Sequence, residues 1–127
     1  MDARTKKEEE KMKIGEIIEP LKLRVIAGKG GLGREVRSGY CGDLLSDVMA
    51  NASDGSIWIT IQTHQNIVAV AVLRDMAGII ISADHEPDEE TKKRAEAENI
   101  PILVSSMTSF EIAGLLYELG IGKRENI

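Results

Sequence analysis

Short apolar segments and longer segments with helical spacing follow one another regularly along the second half of the chain. Three short apolar runs are bounded by turn-forming residues, and the segments that follow them carry helical spacing or capping residues. This pattern predicts strands at 56–62, 78–82 and 100–105 and helices at 66–76, 87–99 and 108–120. Strands that are apolar on both faces and separated by helices are typical of a parallel sheet covered on both sides.

The segment at 66–76 is almost entirely apolar, so periodicity alone does not separate a buried helix from a buried strand. Its length favours a helix, Asn66 is in position to cap it, and Gly78 follows it. The last predicted helix begins with a capping box formed by Thr108 and Glu111.

The first half of the chain is less regular. A stripe of apolar residues predicts a helix that begins at Ile14, and short strands are expected at 23–27 and 35–40. Asp43 is in position to cap a further helix, in which we expect Leu44 to face the core. The predicted fold class is therefore α/β, a three-layer α/β/α domain with a central, mostly parallel sheet.

Three glycines, Gly28, Gly30 and Gly33, have the G-x-G-x-x-G spacing of a dinucleotide-binding loop. That motif requires a helix that begins in the loop, whereas the sequence predicts no helix between Gly33 and Asp43. A Walker A loop is excluded too, because no Gly-Lys-Ser or Gly-Lys-Thr is present. We therefore interpret the segment as a glycine-rich turn between two strands, with a glycine at positive φ, and not as a binding site.

The composition fits one globular domain and disfavours some classes of binding partner. Of the 127 residues, 43% are hydrophobic but only 3% are aromatic, so aliphatic side chains must build the core. The formal net charge of -5 disfavours nucleic acid and anionic membrane, since both require clustered positive charge. A single cysteine, Cys41, excludes an intramolecular disulfide and fits a reducing, cytoplasmic location.

We expect three segments along the chain. Residues 1–11 form a charged N-terminal extension that lacks the apolar stretch of a signal peptide. Residues 12–122 form the single domain, and residues 123–127 form a C-terminal tail. No apolar run approaches the roughly 18 residues that a membrane-spanning helix needs.

Polar residues follow each of the three predicted parallel strands. Ligands of open parallel sheets bind outside the carboxyl ends of the strands, where helix N-termini also offer free N–H groups. The candidate ligand-binding residues are Gln62, Thr63, His64, Gln65, Asn66, Ser82, Ala83, Asp84, His85, Ser105, Ser106 and Thr108. The alternative is that these residues only cap helices, which suffices for Asn66 and Thr108. Acidic residues in the second segment would repel a bare phosphate unless a metal or another cation intervened.

Catalytic and metal-binding patterns at the same edge are weak. His64 and His85 could bind a divalent ion with neighbouring carboxylates, but they lack the spacing of a metal-binding pair. A serine nucleophile would lack both a nucleophile elbow and a third, orienting group. Cys41 precedes a predicted helix and could have a lowered pKa, although a half-buried structural thiol is the simpler interpretation. We predict no catalytic residues and no metal site, and the sequence identifies no cofactor.

Four stretches of the sequence together resemble the DRTGG domain, namely GREVRSGYCGDLLSDVMA, IWITIQTHQNIVAVAVL, GIIISADHEPDEETKKRAEAENIPIL and TSFEIAGLLYEL. That domain is similar in fold to the N-terminal domain of HPr kinase/phosphorylase. It also occurs beside phosphotransacetylases and in regulatory segments of some pyrophosphatases. The resemblance extends roughly from Met12 to Ile121.

The sequence departs from the family at the residues that give the family its name. Thr63 and His64 stand where the Asp-Arg pair is expected, and Ser82, Ala83 and Asp84 stand where Thr-Gly-Gly is expected. Loss of the arginine removes a cation with fixed bidentate geometry. Loss of the two glycines makes close approach of a phosphate harder.

The resemblance implies a non-catalytic, cytoplasmic regulatory or small-ligand-sensing module, accessory to an enzyme such as a hydrogenase or another redox or phosphotransfer system. It also implies a homodimer, and a nucleotide or other anionic small molecule as ligand. Two alternatives stay open. One is a small enzyme or phosphotransfer accessory that uses His64 or His85 as acid or base. The other is a pure protein-interaction module, with Ile57, Trp58 or Leu115 exposed at its interface.

Overall fold

The computed structural model describes residues 11–123, so most of the predicted extension at 1–11 and tail at 123–127 lies outside the described residues. The elements, in chain order, are β1 (Met12–Lys13), α1 (Ile14–Leu21), β2 (Arg24–Ala27), a 3-10 turn (Lys29–Gly31), β3 (Glu35–Val36), β4 (Ser38–Cys41), α2 (Leu45–Asn51), β5 (Ser56–Thr60), α3 (Asn66–Leu73), β6 (Gly78–Ile81), α4 (Glu89–Glu98), β7 (Ile102–Val104) and α5 (Ser109–Glu118).

Five strands form the main sheet, in the order β2-β7-β6-β5-β4. The strands from β4 to β7 are parallel and lie side by side in chain order, whereas β2 pairs antiparallel with β7. The short strands β1 and β3 form a separate antiparallel ribbon. The predicted mostly parallel sheet is confirmed, and its one antiparallel strand comes from the N-terminal part of the domain.

The two faces of the sheet bury separate sets of aliphatic side chains. Successive strand residues point to opposite faces, so Ile79 and Ile81 of β6 pack with α2, α3 and α4, while Ile80 packs with α1 and α5. This arrangement confirms the predicted three layers. Within residues 11–123, no helix is both long and apolar enough to cross a bilayer.

Several sequence predictions about single elements are confirmed. The ambiguous segment at 66–76 is a helix, α3, which ends at Leu73. The capping box of α5 is present, since the N–H of Glu111 donates to the Thr108 hydroxyl at 3.2 Å and the N–H of Thr108 donates to the Glu111 carboxylate at 3.2 Å.

Other predictions about single elements are wrong. The expected strand at 35–40 is two strands, because β3 pairs with β1 while β4 pairs with β5. Leu44 is 68% exposed rather than turned to the core. Ile57 and Trp58 are fully buried and are not available for an interface. The indole of Trp58 donates to the Gly42 carbonyl at 2.8 Å, which satisfies its one polar atom.

The glycine-rich segment is a turn that packs against the chain between α4 and β7. Gly28 has φ +74°, and its N–H donates to the Glu96 carboxylate at 2.6 Å. A side chain at Gly28 would overlap the carbonyl of Ile100, and one at Gly31 would overlap the carbonyl of Asn99. The glycines therefore permit two backbone segments to touch, which agrees with the interpretation as a turn.

We expect Gly28→Ala to lower the free energy of unfolding by about 3 kcal/mol, because it adds left-handed backbone strain to a steric overlap. Gly33→Ala is the matched control, since nothing lies within 4 Å of an added Cβ there and its φ is not positive. It should change the free energy of unfolding by less than about 0.5 kcal/mol. Urea denaturation measures both, and equal effects of the two changes would contradict this role of Gly28.

Candidate functional site

The carboxyl ends of β5, β6 and β7 bring the three predicted polar segments together. We call this surface the loop edge and define it as residues 61–66, 82–88 and 105–108. The carbonyl of Thr63 accepts hydrogen bonds from the N–H of Asp88 at 3.1 Å and from the hydroxyl of Thr91 at 2.7 Å. The first contact joins the first segment to the second, and the other joins the first segment to α4.

The second and third segments meet above a reversal in the fold. β6 and β7 are neighbours, yet β6 leads to α4 on one face of the sheet while β7 leads to α5 on the other. Open α/β sheets bind ligands outside the strand ends at such a reversal. Here the N–H groups of Ala83 and Asp84 join the two segments, because they donate to the carbonyls of Met107 and Ser105 at 2.8 Å each.

Ala83 and Asp84 both have φ +56°, in the left-handed region that favours glycine. These are the two positions at which the resemblance to the DRTGG pattern predicts a glycine pair. The loop thus has a backbone conformation suited to two glycines although neither residue is one. A non-glycine residue in this region carries roughly 1–2 kcal/mol of steric cost.

Arg24 is a residue of this region that the sequence did not indicate. Because β2 runs antiparallel, its first residue pairs with Val104 and so lies at the loop edge. The guanidinium lies 2.6 Å from the Glu86 carboxylate and 3.8 Å from that of Asp84. The hydrogen bond to Glu86 raises the pKa of Arg24, and the charge of Glu86 adds to this effect. A cation therefore reaches the loop edge.

Both histidines lie on the loop edge and are exposed. Nδ1 of each ring forms a hydrogen bond with a nearby backbone group. Nδ1 of His64 accepts from the N–H of Asn66 at 3.2 Å, so His64 binds the first turn of α3 and the predicted capping role of Asn66 is wrong. Nδ1 of His85 lies 3.0 Å from the Ser82 carbonyl and donates to it, because a carbonyl can only accept. In a neutral ring, this leaves Nε2 of His85 as an acceptor.

Two predicted residues of the loop edge are buried. Ser82 and Ser105 are each 1% exposed. The hydroxyl of Ser82 lies 2.8 Å from that of Ser109, and the hydroxyl of Ser105 accepts from the N–H of Met107 at 3.0 Å. The exposed members of the predicted set are His64, Asn66, Ala83, Asp84, His85, Ser106 and Thr108. Ser82 and Ser105 therefore hold the loops, and the exposed members are the ones a ligand could reach.

The end of β4 is tied to the loop edge through Asp43, whose predicted role as a helix cap is wrong. Its carboxylate accepts from the hydroxyl of buried Thr60 at 2.8 Å and from the N–H of Ile61 at 2.9 Å. The side-chain amide of Gln62 donates to the Asp43 carbonyl at 3.0 Å. Gln62 is thus engaged in holding the first segment against the sheet.

Cys41 lies at the end of β4. Partial burial raises the pKa of its thiol, and the charge of Asp43 adds to the increase. A raised pKa disfavours the thiolate and so argues against an activated nucleophile, while the Cys41 side chain is exposed rather than half-buried as the sequence predicted. Among residues 11–123, no group of three His, Cys, Asp or Glu side chains is arranged to hold a metal ion.

Together, the sheet order, the change of face between β6 and β7 and the loop edge define an α/β domain with a candidate ligand site at its strand ends. Residues 16–119 match the DRTGG domain family, and the chain belongs to that family. No curated protein matches the sequence.

A similar solved structure contains the CBS and DRTGG domains of the regulatory region of Clostridium perfringens pyrophosphatase, in complex with the activator diadenosine tetraphosphate. The match has a TM-score of 0.69 at 15% sequence identity and covers 99% of this chain. The chain spans 56% of that region, and at this identity the match shows the shared fold.

We expect Ala83→Gly to raise the free energy of unfolding by about 1 kcal/mol, because glycine removes the strain of a positive φ at an exposed position. The control is Ala69→Gly in the middle of α3, which should lower it by about 1 kcal/mol through lost helix propensity. Opposite signs in urea denaturation support the left-handed conformation. A loss of stability in both variants would contradict it.

Proposed function

We propose that this protein is a non-catalytic regulatory module that senses a small ligand at the loop edge and acts on a partner enzyme. The observation that carries the proposal is the change of face between β6 and β7 at the loop edge, with Arg24 delivered to that edge from a different strand. Membership of the DRTGG family supports a regulatory role, since a domain of this family is part of the pyrophosphatase regulatory region.

We further propose that the ligand is a nucleotide or another anionic small molecule. Arg24 is paired with Glu86 and Asp84, and a phosphate group can compete with these carboxylates for the guanidinium. The carboxylates of the same loop repel a bare polyphosphate, so the ligand should bind better with a divalent cation such as Mg²⁺ than without one. Diadenosine tetraphosphate is the first compound to test, because it is the activator in the similar pyrophosphatase structure.

The partner enzyme is proposed at the level of class. In the similar structure, the DRTGG domain occurs with CBS domains in the regulatory part of an enzyme, and this chain covers 56% of that region. By analogy, ligand binding at the loop edge would change how this domain contacts a catalytic partner. A hydrogenase or another redox or phosphotransfer enzyme is the class that the family resemblance suggests.

A thermal-shift experiment tests the ligand site. We expect diadenosine tetraphosphate or ATP with Mg²⁺ to raise Tm by a few degrees, through binding to the folded state alone. Arg24→Ala and His64→Ala should each reduce the shift. Arg94→Ala, which removes an exposed arginine from α4, is the matched control and should keep it.

Two results would contradict this proposal. One is no shift with any nucleotide, acyl phosphate or divalent cation. The other is a shift that Arg24→Ala leaves unchanged, because the ligand would then bind elsewhere. Substrate turnover that His64→Ala abolishes, in a variant that still folds, would favour the enzyme alternative instead.

We also propose that the protein functions as a homodimer. Regulatory domains commonly respond to ligands through rearranged subunit contacts. Sedimentation velocity across a concentration series measures the oligomeric state directly. A monomer at roughly millimolar concentration would remove the homodimer from the proposal.

A further inference from the structure

Helix α5 carries a groove on its exposed side, next to the third segment of the loop edge. The groove has a volume of about 280 Å³. Its lining residues fall in two rows of positions four apart, with Glu111 and Leu115 in one row, continued by Met107 before the helix, and Phe110, Gly114 and Glu118 in the other. Two such rows bound the kind of groove into which a row of side chains from a second helix packs.

Three residues of this groove are unfavourable choices for the domain on its own. Phe110 is 89% exposed, more than any other large apolar side chain among residues 11–123. Gly114 lies inside the helix, where glycine lowers helix stability, although nothing lies within 4 Å of an added Cβ. Glu118 ends the helix, where a negative charge opposes the helix dipole. Residues that break local rules without a compensating contact in the fold are expected at functional sites.

The groove combines an apolar floor with uncompensated negative charge. Met107 and Leu115 are partly buried and pack against the core. Oε1 of Glu111 accepts hydrogen bonds from the N–H and the hydroxyl of Thr108, but both donors are neutral, so the charge of the carboxylate is not balanced. In the part of the chain that the structure describes, no cation pairs with Glu111 or Glu118.

We propose that this groove binds an amphipathic helix of a partner protein, with an apolar face toward α5 and lysine or arginine beside that face. Gly114 leaves a gap in its row, which admits an apolar side chain of the partner helix next to the Phe110 ring. Cations of the partner helix pair with Glu111 and Glu118. A second copy of α5 in the groove would bring the same carboxylates from both sides, so charge favours a cationic partner over self-association.

The groove is joined to the candidate ligand site by hydrogen bonds. The N–H of Ala83 donates to the carbonyl of Met107 at 2.8 Å, and the hydroxyl of Ser82 lies 2.8 Å from that of Ser109 at the start of α5. A ligand that moves the loop at Ala83 would therefore shift a lining residue of the groove. This link rests on the proposed sensing function, whereas the groove and the class of its partner do not.

A binding experiment with model helices tests the groove. The probes are two fluorescein-labelled amphipathic helices with the same leucine face, one with lysine and one with glutamate at its polar positions. Fluorescence anisotropy should show that the lysine helix binds the full chain and that the glutamate helix binds about tenfold more weakly or less. Phe110→Ala should weaken binding of the lysine helix about tenfold. Leu73→Ala, which removes an exposed leucine from α3, is the matched control and should leave binding unchanged.

A second variant separates binding from folding. Gly114→Ala should raise Tm by a few degrees, because it improves helix propensity and the added Cβ meets no other atom. It should nevertheless weaken binding of the lysine helix about threefold or more, because the methyl group occupies the gap in the groove.

Four results would overturn the proposal. They are no binding of the lysine helix, equal binding of the two probes, unchanged binding in Phe110→Ala or Gly114→Ala, and a dimer of the wild-type chain that Phe110→Ala abolishes, which would assign the groove to a second copy. All of these measurements are made without nucleotide. The thermal-shift test of the loop edge can therefore fail while the groove is confirmed, and the reverse.

Discussion

The parallel pairing of β4 to β7 in chain order is the constraint on which the rest of the structure depends. Parallel neighbours need a crossover for every strand, and crossovers in one direction place α2, α3 and α4 on one face of the sheet. The other face is then left for α1 and α5. All four carboxyl ends come to one edge, and the chain changes face after β7 at that same edge.

The parallel sheet could be predicted from the sequence because its strands are apolar on both faces, as strands covered on both sides must be. A run such as Ile79 to Ile81 has no polar side, which only a central strand tolerates. The direction of β2 was beyond sequence reasoning, because four residues carry no directional signal. The capping role of Asp43 failed for a related reason. The local sequence favours a helix cap at Asp43. However, the buried hydroxyl of Thr60 requires a hydrogen-bond acceptor, and the Asp43 carboxylate accepts from it instead of capping the helix.

The same limit applies to the candidate site. The prediction that the three polar segments lie at one edge is confirmed, because it depends only on each segment following a parallel strand. It did not separate buried Ser82 and Ser105 from exposed His64 and Asp84, because burial depends on how the loops fold over one another. Arg24 was missed because it precedes its partners by about sixty residues and reaches them only through the antiparallel strand.

The residues at which the sequence departs from the family pattern determine the backbone conformation and the charge of the loop edge. Ala83 and Asp84 have a left-handed backbone conformation that favours glycine, and the exposed Asp84 side chain makes the surface of the loop acidic. Under the proposed sensing function, a ligand has to displace Glu86 from Arg24, and its affinity would reflect the difference between two ion pairs rather than the strength of one. Such competition would favour ligands that bring their own cation or several anionic groups. The proposed site would then discriminate between ligands mainly by charge.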